Sequence, residues 1–299
     1  MKSSLQRSPW PVVAVFLLPS LVGFLFFMAI PMIAAFGISL TNFSGGTSFR
    51  FIGLTNYVNA FTSAEFPRYL GITINFTFWT VLLQLSLGLV FALILNQKLI
   101  GRNFFRGTMF LPNVLASVAV GLIFSLILDK EKGPVNQFLL SMGLPAHLWL
   151  TGIKTALPTI IMVTVWQNFG YYMVLFLGGL QTINTALYEA AAIDGAGPVR
   201  RFLSVTIPGL SPIIFFSVTI AIIRAFQVFD QIFVMTGGQL GGGPAGATTV
   251  LVFDIYRNGF QHFRFGYAAA ESVVLLIIIL AVTLIQHQGQ KKWVHYDIV

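Results

Sequence analysis

Cysteine is absent from this chain. That excludes a disulfide framework and every thiolate-ligated metal. Charge is nearly absent too. Charged residues make up 9% of the sequence, against about 25% in soluble globular domains. A solvated surface cannot be built from so few charges. With apolar residues at 56%, most of the chain must face lipid or other apolar helices. Acids are the scarcer sign, 9 against 17 Lys and Arg, and the net charge is +8. The basic residues nevertheless form no dense run of the kind that binds nucleic acid. They sit at the ends of apolar segments, where membrane proteins carry them.

Long apolar runs are what the chain does have. A membrane-crossing helix needs about 20 mostly apolar residues. Six segments qualify: 10–40, 72–95, 108–128, 157–180, 207–235 and 268–287. They are long and do not alternate, which favours helices over barrel strands. The expected fold is all-α, with six membrane helices in one transmembrane domain over residues 1–299. The first apolar run, Trp10 to Leu40, is far longer than the about 7–15 residues of a signal-peptide core. It reads as an uncleaved helix, bent by Pro11, Pro19 and Pro31.

Orientation follows from Lys and Arg. With the N-terminus inside, the inner segments hold Lys2, Arg7, Lys98, Arg102, Arg106, Arg200, Arg201, Lys291 and Lys292. The outer ones hold Arg50, Arg68, Lys130, Lys132, Lys154, Arg257 and Arg264. This small bias favours both termini in the cytoplasm. The outer segments 51–70 and 128–150 read as folded pieces against the membrane, the first with a short amphipathic helix, the second with Trp149 at the interface.

Between spans four and five lies EAAAIDGAGPVRRFLSVTIP, Glu189 to Pro208. Asn184 or Thr185 suits the start of a short helix, and Ile183 with Tyr188 suits a hydrophobic staple. Residues 186–194 are mostly strong helix formers. Gly195 and Gly197 supply helix-stopping conformations, and Pro198 opens a second helix carrying Arg200 and Arg201. Physics alone also permits an ordinary loop whose basic end rests on lipid head groups.

The stretch resembles the EAA loop of binding-protein-dependent ABC import permeases. That pattern is Glu-Ala-Ala, three residues, Gly, nine residues, then Ile-x-Leu-Pro. Glu189, Ala190, Ala191, Gly195 and Pro208 match it; Val205 and Ile207 replace the Ile and Leu. The longer form is similar to the carbohydrate-import branch, with its maltose, multiple-sugar and glycerol-3-phosphate permeases. The likeness continues in FIGLTNYVNAF, FFRGTMFLPNVLA, TGGQLGGGPAGATTVLVFDIYRNGF and FGYAAAESVVL. It implies a bacterial inner-membrane subunit working by alternating access. A second permease subunit, two ATP-binding subunits and an extracytoplasmic solute-binding protein would complete the importer. It also implies that the coupling loop 184–208 meets an ATPase subunit through Glu189, Ala190, Ala191, Asp194, Gly195 and Arg200.

This chain is not expected to hydrolyse ATP or to hold a cofactor. A P-loop needs Gly, four residues, then Gly-Lys-Ser/Thr. The run GGQLGGGPAG, 237–246, has no such Lys. It reads either as a flexible outer loop or, by resemblance, as a contact for the binding protein through Gly237, Gly238, Gly242, Gly243 and Pro244. ATP and magnesium would then belong to the partner ATPase. His147, His262, His287 and His295 show no metal spacing, and no span pairs a nucleophile with a base.

Polar residues inside the spans are the candidates for a solute path. In span four, Thr164, Asn168 and Tyr171 share a helical face, with Gln167 beside them. Amides and aromatic faces suit hydroxyl-rich solutes, and resemblance to the maltose permease places a sugar site on this span and the next. Interhelical hydrogen bonding is the alternative use. Asn75 and Gln84 in span two are weaker candidates. In span five, Arg224, Gln227 and Asp230 recur every three residues. A mid-span charge costs at least ~3 kcal/mol unless it faces a bundle interior or water. Arg224 therefore either serves function or pairs with Asp230 or Glu271. Interfacial solvation accounts for Asp230 and Glu271. An ion-coupled secondary transporter using these two acids is the rival function.

Overall fold

The computed structural model describes residues 10–47, 49–238 and 241–294. Among them every regular element is helical, apart from one isolated bridge between Thr41 and Phe51. The order is α1 (Trp10–Phe24), α2 (Ile30–Ser39), α3 (Thr55–Thr62), α4 (Glu65–Leu95), α5 (Arg102–Val114), α6 (Ser117–Ile127) and α7 (Pro134–Ser141). Then come α8 (Ala156–Thr182), α9 (Thr185–Ile193), α10 (Pro198–Arg201), α11 (Ile207–Phe226), α12 (Asp230–Met235), α13 (Leu251–Tyr256) and α14 (Phe265–Trp293). Lys2, Arg7 and His295 lie outside the described residues.

Proline shapes two spans without breaking them. A π-helical turn, Leu25–Ala29, joins α1 to α2 just before Pro31. A second, Phe202–Thr206, joins α10 to α11 just before Pro208. Proline lacks an N–H and crowds the carbonyl four residues back, and a widened turn relieves both problems. Val13–Ser39 and Pro198–Phe226 thereby remain single spans. Pro31 is thus absorbed within the helix.

Two expected spans differ more. Segment 108–128 reads as one helix, yet α5 and α6 meet at 95°. Leu115 and Ala116 between them are extended, with ψ of 142° and 129°. Pro112 weakens the last turn of α5, and Gln167 Nε2 takes the freed Leu115 carbonyl at 3.0 Å. Segment 207–235 is also broken: α11 stops at Phe226, and Gln227 to Phe229 separate it from α12. Hydrophobicity reads through both breaks, because the broken segments stay apolar. At its start this helix reaches back beyond 207 to Pro198.

The chain divides into two compact units, Met1–Ser63 with Asn258–Val274, and Ala64–Arg257 with Leu275–Val299. In the first, Asn56 Nδ2 donates to the Ser39 and Thr41 carbonyls, both at 2.8 Å, and closes the end of α2. The Gly266 N–H donates to the Phe43 carbonyl at 2.9 Å. Glu271 is 1% exposed and accepts from Asn258 Nδ2 at 3.0 Å. That corrects the expectation of interfacial solvation. α14 starts at Phe265, so Glu271 sits two turns inside the helix rather than at its rim.

In the second unit α8 is the axis, packed against α4, α5 and α11. Glycine permits the closest approaches. A Cβ on Gly170 would overlap the Met109 carbonyl oxygen of α5, and one on Gly88 would lie 3.0 Å from the Met173 backbone nitrogen. Small residues at helix crossings are the usual device in membranes, where lipid offers no hydrophobic drive between helices. Two apolar clusters form along α8. Ile160, Ile161, Val163 and Val165 belong to one, with Phe76, Val120, Ile232 and Phe253. Tyr172, Met173, Phe176, Leu177 and Leu180 belong to the other, with Ala92, Leu95 and Leu210. Gln167 and Asn168 fall in the gap between them.

Candidate functional site

That gap holds a cavity of about 410 Å³. Thr164, Gln167 and Asn168 of α8 line it, with Gln84 and Thr80 of α4. Asn113 and Ser117 flank the α5–α6 break; Arg224, Gln227 and Asp230 surround the α11–α12 break. Both broken helices therefore open onto the same space. Broken spans expose backbone polar groups, and these persist in a membrane only when buried in protein or lining a wet cavity.

Amide side chains hold the walls. Gln231 Nε2 donates to Gln167 Oε1 at 2.9 Å, and Gln167 in turn donates to Leu115. Asn113 Nδ2 donates to Asn168 Oδ1 at 3.1 Å, and Asn168 Nδ2 donates to the Thr164 carbonyl at 2.8 Å. Gln167 and Asn168 thus bind between elements and face the cavity as well; the two uses foreseen for them are not exclusive.

The expected helical stripe of Arg224, Gln227 and Asp230 does not form. The helix ends at Phe226 and Gln227 is its C-cap, so a three-residue spacing no longer sets direction. The three meet at one cavity through the break instead. Tyr171 is a second correction. It is not among the lining residues; Tyr172, four residues after Asn168, takes that place. Tyr171 lies edge-on to Tyr172 at 5.2 Å, and the Arg224 guanidinium sits 4.9 Å from its ring centroid. Among the described residues Arg224 does not pair with Asp230. Sequence reading missed Asn113, Ser117 and Gln231. Pro112 beside Asn113 was the available signal for a break. Gln84 does line the cavity, whereas Asn75 lines a separate apolar groove with Trp79 and Trp166.

The segment between α8 and α11 is closed by local bonds. Asn184 is the cap: its Oδ1 accepts from the Ala186 N–H at 2.9 Å. Ile183 and Tyr188 join the same apolar cluster, and Tyr188 Oη pairs with Thr206 Oγ1 at 3.0 Å. At the far end Gly195 has φ +73°. Its N–H reaches the Ala192 carbonyl at 3.1 Å, and the Ala196 N–H reaches Ala191 at 2.9 Å. This pair of bonds is a Schellman ending, which wants glycine. Gly197 has φ −68° and ψ 172°, extended backbone that any residue adopts, so it is not a stop signal. Arg201 Nε donates to the Ala196 carbonyl at 2.7 Å and ties the turn to α10. No residue of α9 is buried. Glu189, Ala190, Asp194, Gly195 and Arg200 are exposed, Ala191 is half-buried, and Ile193 stands 87% exposed.

The glycine loop lies at the opposite ends of α8 and α11 from α9. It is tightly turned. Gly237, Gly238, Gly242 and Gly243 all have positive φ, and Thr236 Oγ1 accepts from the Gly242 N–H at 3.0 Å. Arg68 Nη2 donates to the Ala245 carbonyl at 2.5 Å. Gly237, Gly243 and Pro244 line a cleft of about 560 Å³ with Asp129, Lys130 and Thr151. Backbone N–H groups of Lys132 and then Glu131 hold the Asp129 carboxyl below its ordinary pKa. Outside this loop, Asn136 organises the 128–150 segment, donating to the His147 carbonyl and accepting from Trp149 Nε1, each at 3.0 Å.

The model of the binding-protein-dependent transport system inner membrane component family matches residues 84–294. This chain belongs to that family. The permease is 36% identical over 284 residues to the probable ABC transporter permease protein YesP of Bacillus subtilis (strain 168), covering 94% of this chain and 91% of the relative. It is 34% identical over 272 residues to the arabinooligosaccharides transport system permease protein AraP of the same organism, covering 90% and 85%. It also superposes on a chain from the crystal structure of a bacterial alginate ABC transporter in complex with alginate pentasaccharide-bound periplasmic protein. There the TM-score is 0.82, with 25% identity over 94% of both chains.

Proposed function

We propose that this permease forms half of the membrane path of an ATP-driven importer for a sugar or sugar-like solute, sugar and polyol phosphates included. The observation that carries the reading is a continuity of helices. α8 lines the cavity and ends two residues before Asn184 caps α9; α10 runs through a π turn into α11, which lines the cavity again. A push on the exposed α9–α10 pair moves both cavity walls, and alternating access needs such a lever. Family membership and the carbohydrate names borne by its relatives support the solute class. So do the amides lining the cavity.

The partners follow from what the chain leaves uncovered. The first span buries none of its apolar window, so lipid and a second permease subunit would cover it. α9 presents Glu189 to Gly195 to one of two ATPase subunits, which carry ATP and magnesium. Run 237–246 cannot cradle a nucleotide. A solute-binding protein would dock at the other end, on Gly237, Gly238, Gly242, Gly243 and Pro244. In this orientation both termini are cytoplasmic. Ion coupling through Asp230 and Glu271 is disfavoured by membership in a binding-protein-dependent family. The test is co-purification of the ATPase chain with the permease. Glu189→Lys should leave insertion intact and lower the recovered ATPase; recovery at wild-type level would overturn the coupling assignment.

A further inference from the structure

We infer that Arg224 selects for an anionic solute: its guanidinium is the seat of a carboxylate or phosphate on an otherwise hydroxyl-rich molecule. The inference rests on the cavity being the solute path.

Three observations converge. Arg224 lines the cavity in the last turn of α11, beside the break. Its guanidinium carbon lies over the Tyr171 ring, 4.9 Å from the centroid, a cation–π contact that supplies no countercharge. No carboxylate lies within 4.0 Å of it among the described residues. Among the described residues no carboxylate takes up its N–H donors, so the fork is left for a solute. A fork of fixed geometry binds carboxylate or phosphate through two parallel hydrogen bonds. A cation held in a membrane-spanning helix without an anion is costly, and such residues mark solute paths.

Asp230 is the other charge in the cavity. It sits in the first turn of α12, where the helix N-terminus favours a carboxylate. It leaves acceptor oxygens for solute hydroxyls, beside Gln227 and Asn113. The wall thus offers a donor for an oxyanion and several groups for hydroxyls. A neutral sugar would satisfy the second set and leave the fork facing water.

The test uses the complete transporter, purified with its partner permease and ATPase subunits. Saturation-transfer NMR is recorded with glucuronate, glucose 6-phosphate and glucose at equal concentration. Each anion should bind about tenfold more tightly than glucose, the size of one charge-assisted contact. Arg224→Gln should bring the anions down to the level of glucose, while Arg224→Lys should keep part of the preference. The ratio of the two anions separates carboxylate from phosphate. Equal binding of all three sugars to the wild type would overturn the proposal, as would an anion preference that survives Arg224→Gln. The wild-type panel decides the matter even where a variant does not assemble. Binding of none of the three would instead sink the reading of the cavity as the solute path, and the proposal with it.

Discussion

The α9–α10 pair and the cavity are built in opposite ways. The first is closed by neighbours in sequence: Asn184 caps two residues ahead, and Gly195 ends the helix through bonds three and five residues back. It buries no residue of α9. The second is closed by distant partners. Gln167 reaches 52 residues back to Leu115, and Gln231 reaches 64 back to Gln167. A locally closed element keeps its shape while its outer face stays open. A cavity tied across elements holds its shape only when several helices are in register. The first suits a surface that meets a partner, the second a space that must change with helix position.

Substitutions test this contrast. The largest effect is expected from Gly170→Val. The Met109 backbone cannot yield, so α5 and α8 separate at a cost of about 3 kcal/mol or more. A large fall in the melting temperature of the purified protein should report it; an unchanged value would show that the α5–α8 packing is wrong. Gln167→Leu comes next. It leaves the Leu115 carbonyl and the Gln231 amide without their partner, at about 2 kcal/mol. The double variant Gln167→Leu, Gln231→Leu should cost less than the sum of the singles, as groups in one network do. Additive effects would mean that no such chain exists.

Effects on the α9–α10 pair should be smaller and confined to it. Asn184→Ala loses the cap and Gly195→Ala strains a left-handed residue, each at about 1 kcal/mol. Both should weaken recovery of the ATPase chain and leave solute binding unchanged. A matching loss of solute binding would dissolve the distinction between the two regions. Smallest is Gly197→Ala, expected within about 0.5 kcal/mol of wild type, because its backbone is ordinary and nothing lies within 4 Å of the added carbon.

The α9–α10 pair was legible in advance because its signals are short-range. A capping Asn, a run of helix formers, a Gly in the left-handed region and a Pro at the next first turn all act within a few residues. Only Gly197 misled, since a glycine is permitted a special conformation without being obliged to adopt one. The cavity was legible in part. Thr164, Gln167, Asn168, Gln227 and Arg224 stood out as polar residues in apolar spans and do line it. Tyr171 and Tyr172 are adjacent in sequence, and helix rotation alone decides which of them faces inward. Asn113 and Ser117 were hidden because segment 108–128 stays apolar across its 95° bend.

That the chain is a set of membrane helices, and where most of them run, is written in the order of its residues. Hydrophobic length and local capping are properties of adjacent residues. That order also carries the Glu189–Pro208 pattern that marks the family. Packing set where two of the helices break, that the Arg224 guanidinium lies over Tyr171, and that Glu271 is buried. A broken helix survives in a membrane only where the rest of the protein buries its freed backbone groups or shapes a wet cavity beside them, and no pattern within the broken segment reveals those surroundings.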